Sequence, residues 1–193
     1  VLPIDNLTLP SFDGSYKFNV SLGSVGNGSQ GNQDYFIDVP KGTGYYDIKI
    51  SSLTMNNTGA VYVRMPPHGR PTRIFITGNV SFSNSTSLKV IYAKEESQWD
   101  TTGHGHWTTK ATDAADNADY NGDLLVYFQN GVRFDAGNAG RTIQGTLISS
   151  STINVQQHMS FAGQLIAKNI EINANFQAGQ FRYVPFDPPK INS

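Results

Sequence analysis

The chain has 193 residues, 38% hydrophobic and 15% charged, with no cysteine and a formal net charge of -1. That balance provides no basic stripe for a phosphate backbone, so no nucleic-acid role is expected, and it excludes disulfides and thiolate metal sites. No window approaches the roughly 20 apolar residues of a membrane-spanning helix, so no membrane insertion is expected.

In chain order, residues 1–45 read as an N-terminal cap and extended lead-in. Phe12–Leu22 and Tyr35–Val39 are expected to form a hairpin joined by the glycine-bearing stretch Gly23–Asn32. From residue 46 the pattern alternates apolar and polar in Tyr46–Ile50, Ala60–Val63, Arg73–Ile76, Val80–Phe82, Leu88–Val90 and Leu124–Phe128, which predicts short strands. Corners are marked by Asn56-Asn57, Thr77-Gly78-Asn79, Gln129-Asn130-Gly131, Gly137–Gly140 and Asn173–Asn175, where Gly and Asn tolerate positive φ. Nothing holds a helical period for three turns.

Near the C-terminus the chain repeats itself. Gly145-Thr-Leu-Ile-Ser runs on to Ile153-Asn-Val155, and Gly163-Gln-Leu-Ile-Ala runs on to Ile170-Glu-Ile172, with the glycines eighteen residues apart. A unit with one apolar edge cannot bury it alone, whereas units stacked in register bury a continuous core. Ile48–Val63, Ile74–Val90 and Leu124–Ile143 fit the same frame more loosely, so about five coils are expected. The competing fold is a two-layer β-sandwich, which has no reason to repeat Gly-x-Leu-Ile-small at a fixed offset. Phe181–Phe186, aromatic and proline-bearing, reads as a second cap.

The run Ile76–Val80, then Gly145–Ile148, then Phe161–Ala167 followed by Ile170–Asn173, resembles the right-handed β-solenoid domains of bacterial cell-surface and pilus-associated adhesins. The resemblance spans roughly residues 45–186. It implies an all-β, right-handed β-solenoid over 46–186 with an N-terminal hairpin cap, a long inserted loop at 92–123 and a C-terminal linker at 187–193. It also implies a secreted, non-catalytic module at the cell surface. The proline-rich ends, Val1–Pro10 and Val184–Lys190, suggest a part of a larger multidomain surface protein.

The insertion interrupts the alternation and gathers both tryptophans of the chain, Trp99 and Trp107, with His104, His106, Asp113, Asp116, Asp119 and Asp123. Long insertions in compact domains commonly carry function. One reading is a sugar-binding platform: Trp99, Trp107, Tyr120 and Tyr92 stack on pyranose faces while Asp100, His104 and His106 bond hydroxyls. The alternative is that the indoles are apolar anchors holding a loop against the coil. His104-Gly-His106 has chelating spacing, yet two ligands are too few, and a third from Asp100, Asp113 or His68 forms no known motif.

Asp119, Asn121 and Asp123 place oxygens at alternate positions, as at the start of a calcium loop, with Asp113 and Asp116 nearby. Leu124 and Asn130 stand where such a loop wants Gly and a bidentate acid, so the pattern supports only an irregular calcium site. No other cofactor is implied.

Right-handed coils also host lyases and hydrolases, but Glu95 and Glu96 point to opposite sides of an extended strand. Glu171 sits between two isoleucines expected to face the core. No G-x-S-x-G elbow or phosphate-binding glycine motif occurs. The expectation is therefore a non-enzymatic polysaccharide-binding module, with a structural spacer of an adhesin as the alternative and a polysaccharide lyase or hydrolase after it. Six N-x-Ser/Thr sequons, at Asn6, Asn19, Asn27, Asn56, Asn79 and Asn84, read as a product of turn-rich composition.

Overall fold

The computed structural model describes residues 21–25, 35–50, 52–55, 60–78, 80–82, 87–93, 120–134, 141–156, 159–173 and 181–187. Thirteen strands and no helix occur among them. The strands are β1 (Ser21–Val25), β2 (Tyr35–Asp38), β3 (Tyr46–Ile50), β4 (Ser52–Met55), β5 (Ala60–Met65), β6 (Thr72–Ile76) and β7 (Val80–Phe82). They continue with β8 (Ser87–Tyr92), β9 (Leu124–Phe128), β10 (Val132–Phe134), β11 (Arg141–Val155), β12 (Met159–Ile172) and β13 (Phe181–Tyr183).

Every pairing among the described residues is parallel. From β1 to β8 each strand pairs with the strand three places on, and β9 and β10 both pair with the long β11. One ladder runs β1, β4, β7, β10 and the end of β11, a second β2, β5, β8 and the start of β11, and a third β3, β6, β9 and the middle of β11. The strand β12 then lies along the full length of β11. A two-layer sandwich pairs its strands antiparallel, so this sheet is a different object: one parallel sheet curled into a half-barrel.

The curl follows from period-two side chains. Along β3, β6 and β9 the inward positions are Ile48 and Ile50, Ile74 and Ile76, and Val126 and Phe128, all within 2% of complete burial. Phe82 and Phe134 stack at 5.0 Å, and Phe128 meets Phe134 edge-on at 6.4 Å. Each such side chain contributes about 1.5–3 kcal/mol on leaving water, and only an inward curl lets three short ladders share one core.

The eighteen-residue repeat is visible as register. Gly145 pairs with Gly163 and Ile148 with Ile166. A register shift between Ser149 and Thr152 then brings Ile153 opposite Ile170, one residue short of the repeat. At Gly163 (φ +153) a Cβ would stand 1.9 Å from the Gly145 carbonyl oxygen, so this position of the repeat admits only hydrogen. Earlier spacings are longer. Tyr46 pairs with Thr72, 26 residues on; Thr72 pairs with Leu124, 52 on; Leu125 pairs with Thr146, 21 on. The doubled spacing locates the insertion between β8 and β9.

Three local expectations differ from the structure. Strands β1 and β2 do not pair with each other; each extends a ladder in parallel, onto β4 and β5. The remaining hairpin segment, residues 12–20, lies outside the described residues. Ile170 and Ile172, flanking Glu171, continue inward-facing columns, yet they are 43% and 50% exposed because no described strand follows β12 there. Finally, β13 covers only Phe161–Gly163 of β12, so Phe181–Tyr183 caps part of that end and no more.

Candidate functional site

The insertion leaves the sheet at Ala93 and rejoins it at Tyr120, and this corner assembles four of the residues singled out from sequence. The Tyr92 hydroxyl donates to Asp123 Oδ2 at 2.8 Å, and the Asn121 amide donates to the Tyr92 oxygen at 3.2 Å. The Tyr120 hydroxyl donates to the Leu124 carbonyl at 3.0 Å. The Asp123 carbonyl in turn accepts from the Thr72 amide at 2.7 Å, which stitches the returning chain to β6. These bonds close the stem of a long excursion where β9 must restart in register with β6.

Glycines make room for the corner. Gly69 (φ +72) is packed so that a Cβ would fall 2.4 Å from Asp123 Oδ2. Gly122 (φ +93) lies under the C-terminal segment, where a Cβ would fall 2.2 Å from the Pro185 carbonyl oxygen. That segment descends along the same corner: the Val184 amide donates to Gly163, the Asp187 amide donates to Gly122, and Phe186 stacks on Tyr45 at 6.2 Å. Arg182 also reaches the Tyr120 carbonyl at 3.3 Å. Below the corner, Arg70 donates to the carbonyls of Pro40, Gly44 and Tyr45 at 2.9–3.2 Å and so holds the turn ahead of β3.

Burial dominates the electrostatics. It pushes the Tyr92 hydroxyl well above the usual phenol range, and the neighbouring Asp123 carboxylate adds to the shift. Burial does the same to Tyr120. The Asp123 carboxyl is raised by burial; the Tyr92 hydrogen bond opposes this, and the charge of Asp187 reinforces it.

Tyr120 is only 3% exposed and Asp123 9%, so neither offers its side chain to solvent in this arrangement. The Tyr120 ring belongs to the core cluster, where no sugar face can reach it. Tyr92 is half-buried and Asn121 exposed. Asp123 Oδ2 is taken up by the Tyr92 hydroxyl, and among the described residues no group of three or more His, Asp or Glu is placed to hold a metal. His68 is exposed. Trp99, Asp100, His104, His106, Trp107, Asp113, Asp116 and Asp119 lie outside the described residues, as do Glu95 and Glu96.

Two surface features went unnoticed in the sequence. Arg64 is in a bidentate ion pair with Asp38, and Arg73 with Asp47 at 2.7 Å; both pairs join outer positions of adjacent strands 26 residues apart. Arg73 also lies 3.9 Å from the centre of the Tyr45 ring, and its Asp47 partner raises its pKa further. The equal spacing of two Asp–Arg pairs was a legible sign of the 26-residue pairing distance. The second feature is an outer row, Arg133, Asn154 and Glu171, in register on successive strands, with Asn154 donating to Glu171 at 2.5 Å.

No helix among the described residues is long and apolar enough to cross a membrane. No protein-family model, curated protein or solved structure matches this chain.

Proposed function

We propose that the chain is a right-handed β-solenoid of five coils and serves at the bacterial cell surface as a non-catalytic module that binds a polysaccharide. Support for the coil comes from the three-strand periodicity of the parallel ladders. The observation carrying the binding reading is register: like positions of successive strands line up as outer rows about 4.8 Å apart, of which Arg133, Asn154 and Glu171 form one. Such a row offers donors and acceptors at a repeat suited to a periodic chain of hydroxyl-bearing units. The insertion adds Trp99 and Trp107 as stacking faces, Asp100, His104 and His106 as polar partners, and Asp113, Asp116 and Asp119 as ligands for a calcium ion.

The test is retention on insoluble cellulose, xylan and chitin. A binder is retained on at least one, and Trp99→Ala, Trp107→Ala or Asn154→Ala weakens retention by about tenfold, the effect of about 1.4 kcal/mol. Failure to be retained on any polysaccharide overturns the reading. One observation favours a structural spacer as the second reading: the stem residues Tyr92, Tyr120 and Asp123 spend their polar groups on one another and on the backbone. A spacer leaves every polysaccharide in solution and loses stability, not retention, when these residues are changed.

A further inference from the structure

The segment that follows β13 is anchored at one end and lightly held at the other. Val184 packs against the core, and its amide donates to the Gly163 carbonyl at 3.1 Å. Beyond it Pro185 is exposed and has no N–H to give. The Asp187 amide donates to the Gly122 carbonyl at 3.0 Å, and Phe186 stacks on Tyr45 with the rings 14° from parallel. A stretch held in this way sits at the low end of local stability, where a small change in free energy alters how often it opens.

Next to Gly122 in sequence is Asp123, only 9% exposed. Its carboxyl is faced by the Tyr92 hydroxyl from β8, by Gly69 from the turn ahead of β6, and by the charge of the exposed Asp187. Tyr120 is close enough to feel its charge. The nearby cations are engaged elsewhere: Arg70 donates to the carbonyls of Pro40, Gly44 and Tyr45, and Arg182 donates to the Tyr120 carbonyl. His68, beside Gly69, is exposed. The ion pairs among the described residues are Arg64–Asp38 and Arg73–Asp47, so no cation among them is paired with Asp123.

We propose that Pro185–Asp187 is an acid-set strap hinged at Val184: protonated Asp123 keeps it closed over Gly122, and ionised Asp123, facing the Asp187 carboxylate, releases it. While the strap is closed, burial and the Asp187 charge raise the Asp123 pKa, and the Tyr92 hydrogen bond opposes them. Opening takes Asp187 away and lets water reach the corner, so the pKa falls back toward the ordinary carboxylate range. The closed strap is therefore fully favoured below that range, and the advantage is lost as pH rises through the raised value. Release frees the Gly122 carbonyl in the stem of the insertion and separates Phe186 from Tyr45. The corner stands apart from the outer rows, so the switch does not depend on polysaccharide binding.

Amide hydrogen exchange of the full chain tests this, with the Asp187 amide as reporter and every rate divided by its intrinsic value at the same pH. Expected is that Asp187 is less protected than Thr77 and Gln129, whose amides bond the carbonyls of Ile50 and Ile76. Its protection should fall by about threefold or more between about pH 4 and pH 7. In Asp123→Asn the reporter should be more protected than in wild type at pH 7 and should no longer vary with pH. If that variant loses the wild-type circular dichroism, Asp187→Asn, which alters an exposed side chain, is measured instead; it too should hold more protection than wild type at pH 7. Protection equal to that of Thr77 and Gln129 at every pH overturns the inference, because the strap then opens only with the whole molecule. So does a pH-independent reporter in wild type, or an unchanged pH response in a folded variant.

Discussion

Asp123 enters a corner where its charge is disfavoured, yet its carboxylate is what the Tyr92 hydroxyl donates to. Because burial raises its pKa, the folded chain holds the Asp123 proton more tightly than the unfolded chain does. This group therefore favours the folded state at acid pH. That contribution is lost as pH climbs from the ordinary carboxylate range through the raised value. Asp123→Asn keeps an oxygen for Tyr92 to donate to and removes the charge. Its urea midpoint should exceed wild type at pH 7, and the gap should narrow toward pH 4. A variant less stable at pH 7 would mean that the ionised form is the one the corner requires. The spacing of Asp119, Asn121 and Asp123 was legible in the sequence, but their environment was not: alternation alone cannot tell an oxygen aimed at an ion from one bonded to a tyrosine 31 residues away.

Between β8 and β11 the backbone pairs only at Leu88 and Ile143. Two side chains supply the missing ladder bonds on either side. Ser87 Oγ accepts from the Thr142 amide at 3.0 Å, and Gln144 Oε1 accepts from the Val90 amide at 2.6 Å. Gln144 is 2% exposed, so its amide group acts as an internal substitute for a strand carbonyl where the insertion has doubled the spacing between paired strands. Gln144→Leu leaves the Val90 amide buried without an acceptor, which costs about 1–3 kcal/mol. Chemical denaturation measures that loss, and hydrogen exchange should locate it at Val90. The individual strands were readable from alternation because each has one face in the core. Their partners were not, since the spacing runs 26, 52, 21 and 18 residues and no single period relates them.

Across the whole molecule the segment Val184–Asp187 ties the last strands to the first. It bonds Gly163, crosses Gly122 and ends with Phe186 on Tyr45. A curled parallel sheet has no covalent link between the ends of its stack other than the chain itself, so a strap along one corner resists opening of the layers. Gly122→Ala places a methyl group into the Pro185 carbonyl and strains a positive φ, which costs at least about 1 kcal/mol. Its expected consequence is a lower Tm together with faster proteolysis within 184–187; a lower Tm with unchanged proteolysis would place the damage in the corner alone. The strap was hidden in the sequence behind its prolines, which suggested a cap and a linker instead.

Composition and alternation alone determined that this chain builds β-strands around an apolar core, and the glycine-led repeat determined how the last two long strands stack, because identical units bury identical edges only in register. Tertiary structure alone decided that the strands pair in parallel, β1 to β8 each with the strand three places on, and that Tyr120 and Asp123 turn inward. Those outcomes depend on which distant segments meet, and a contact between residues 26 or 52 positions apart leaves no mark on either residue's immediate neighbours.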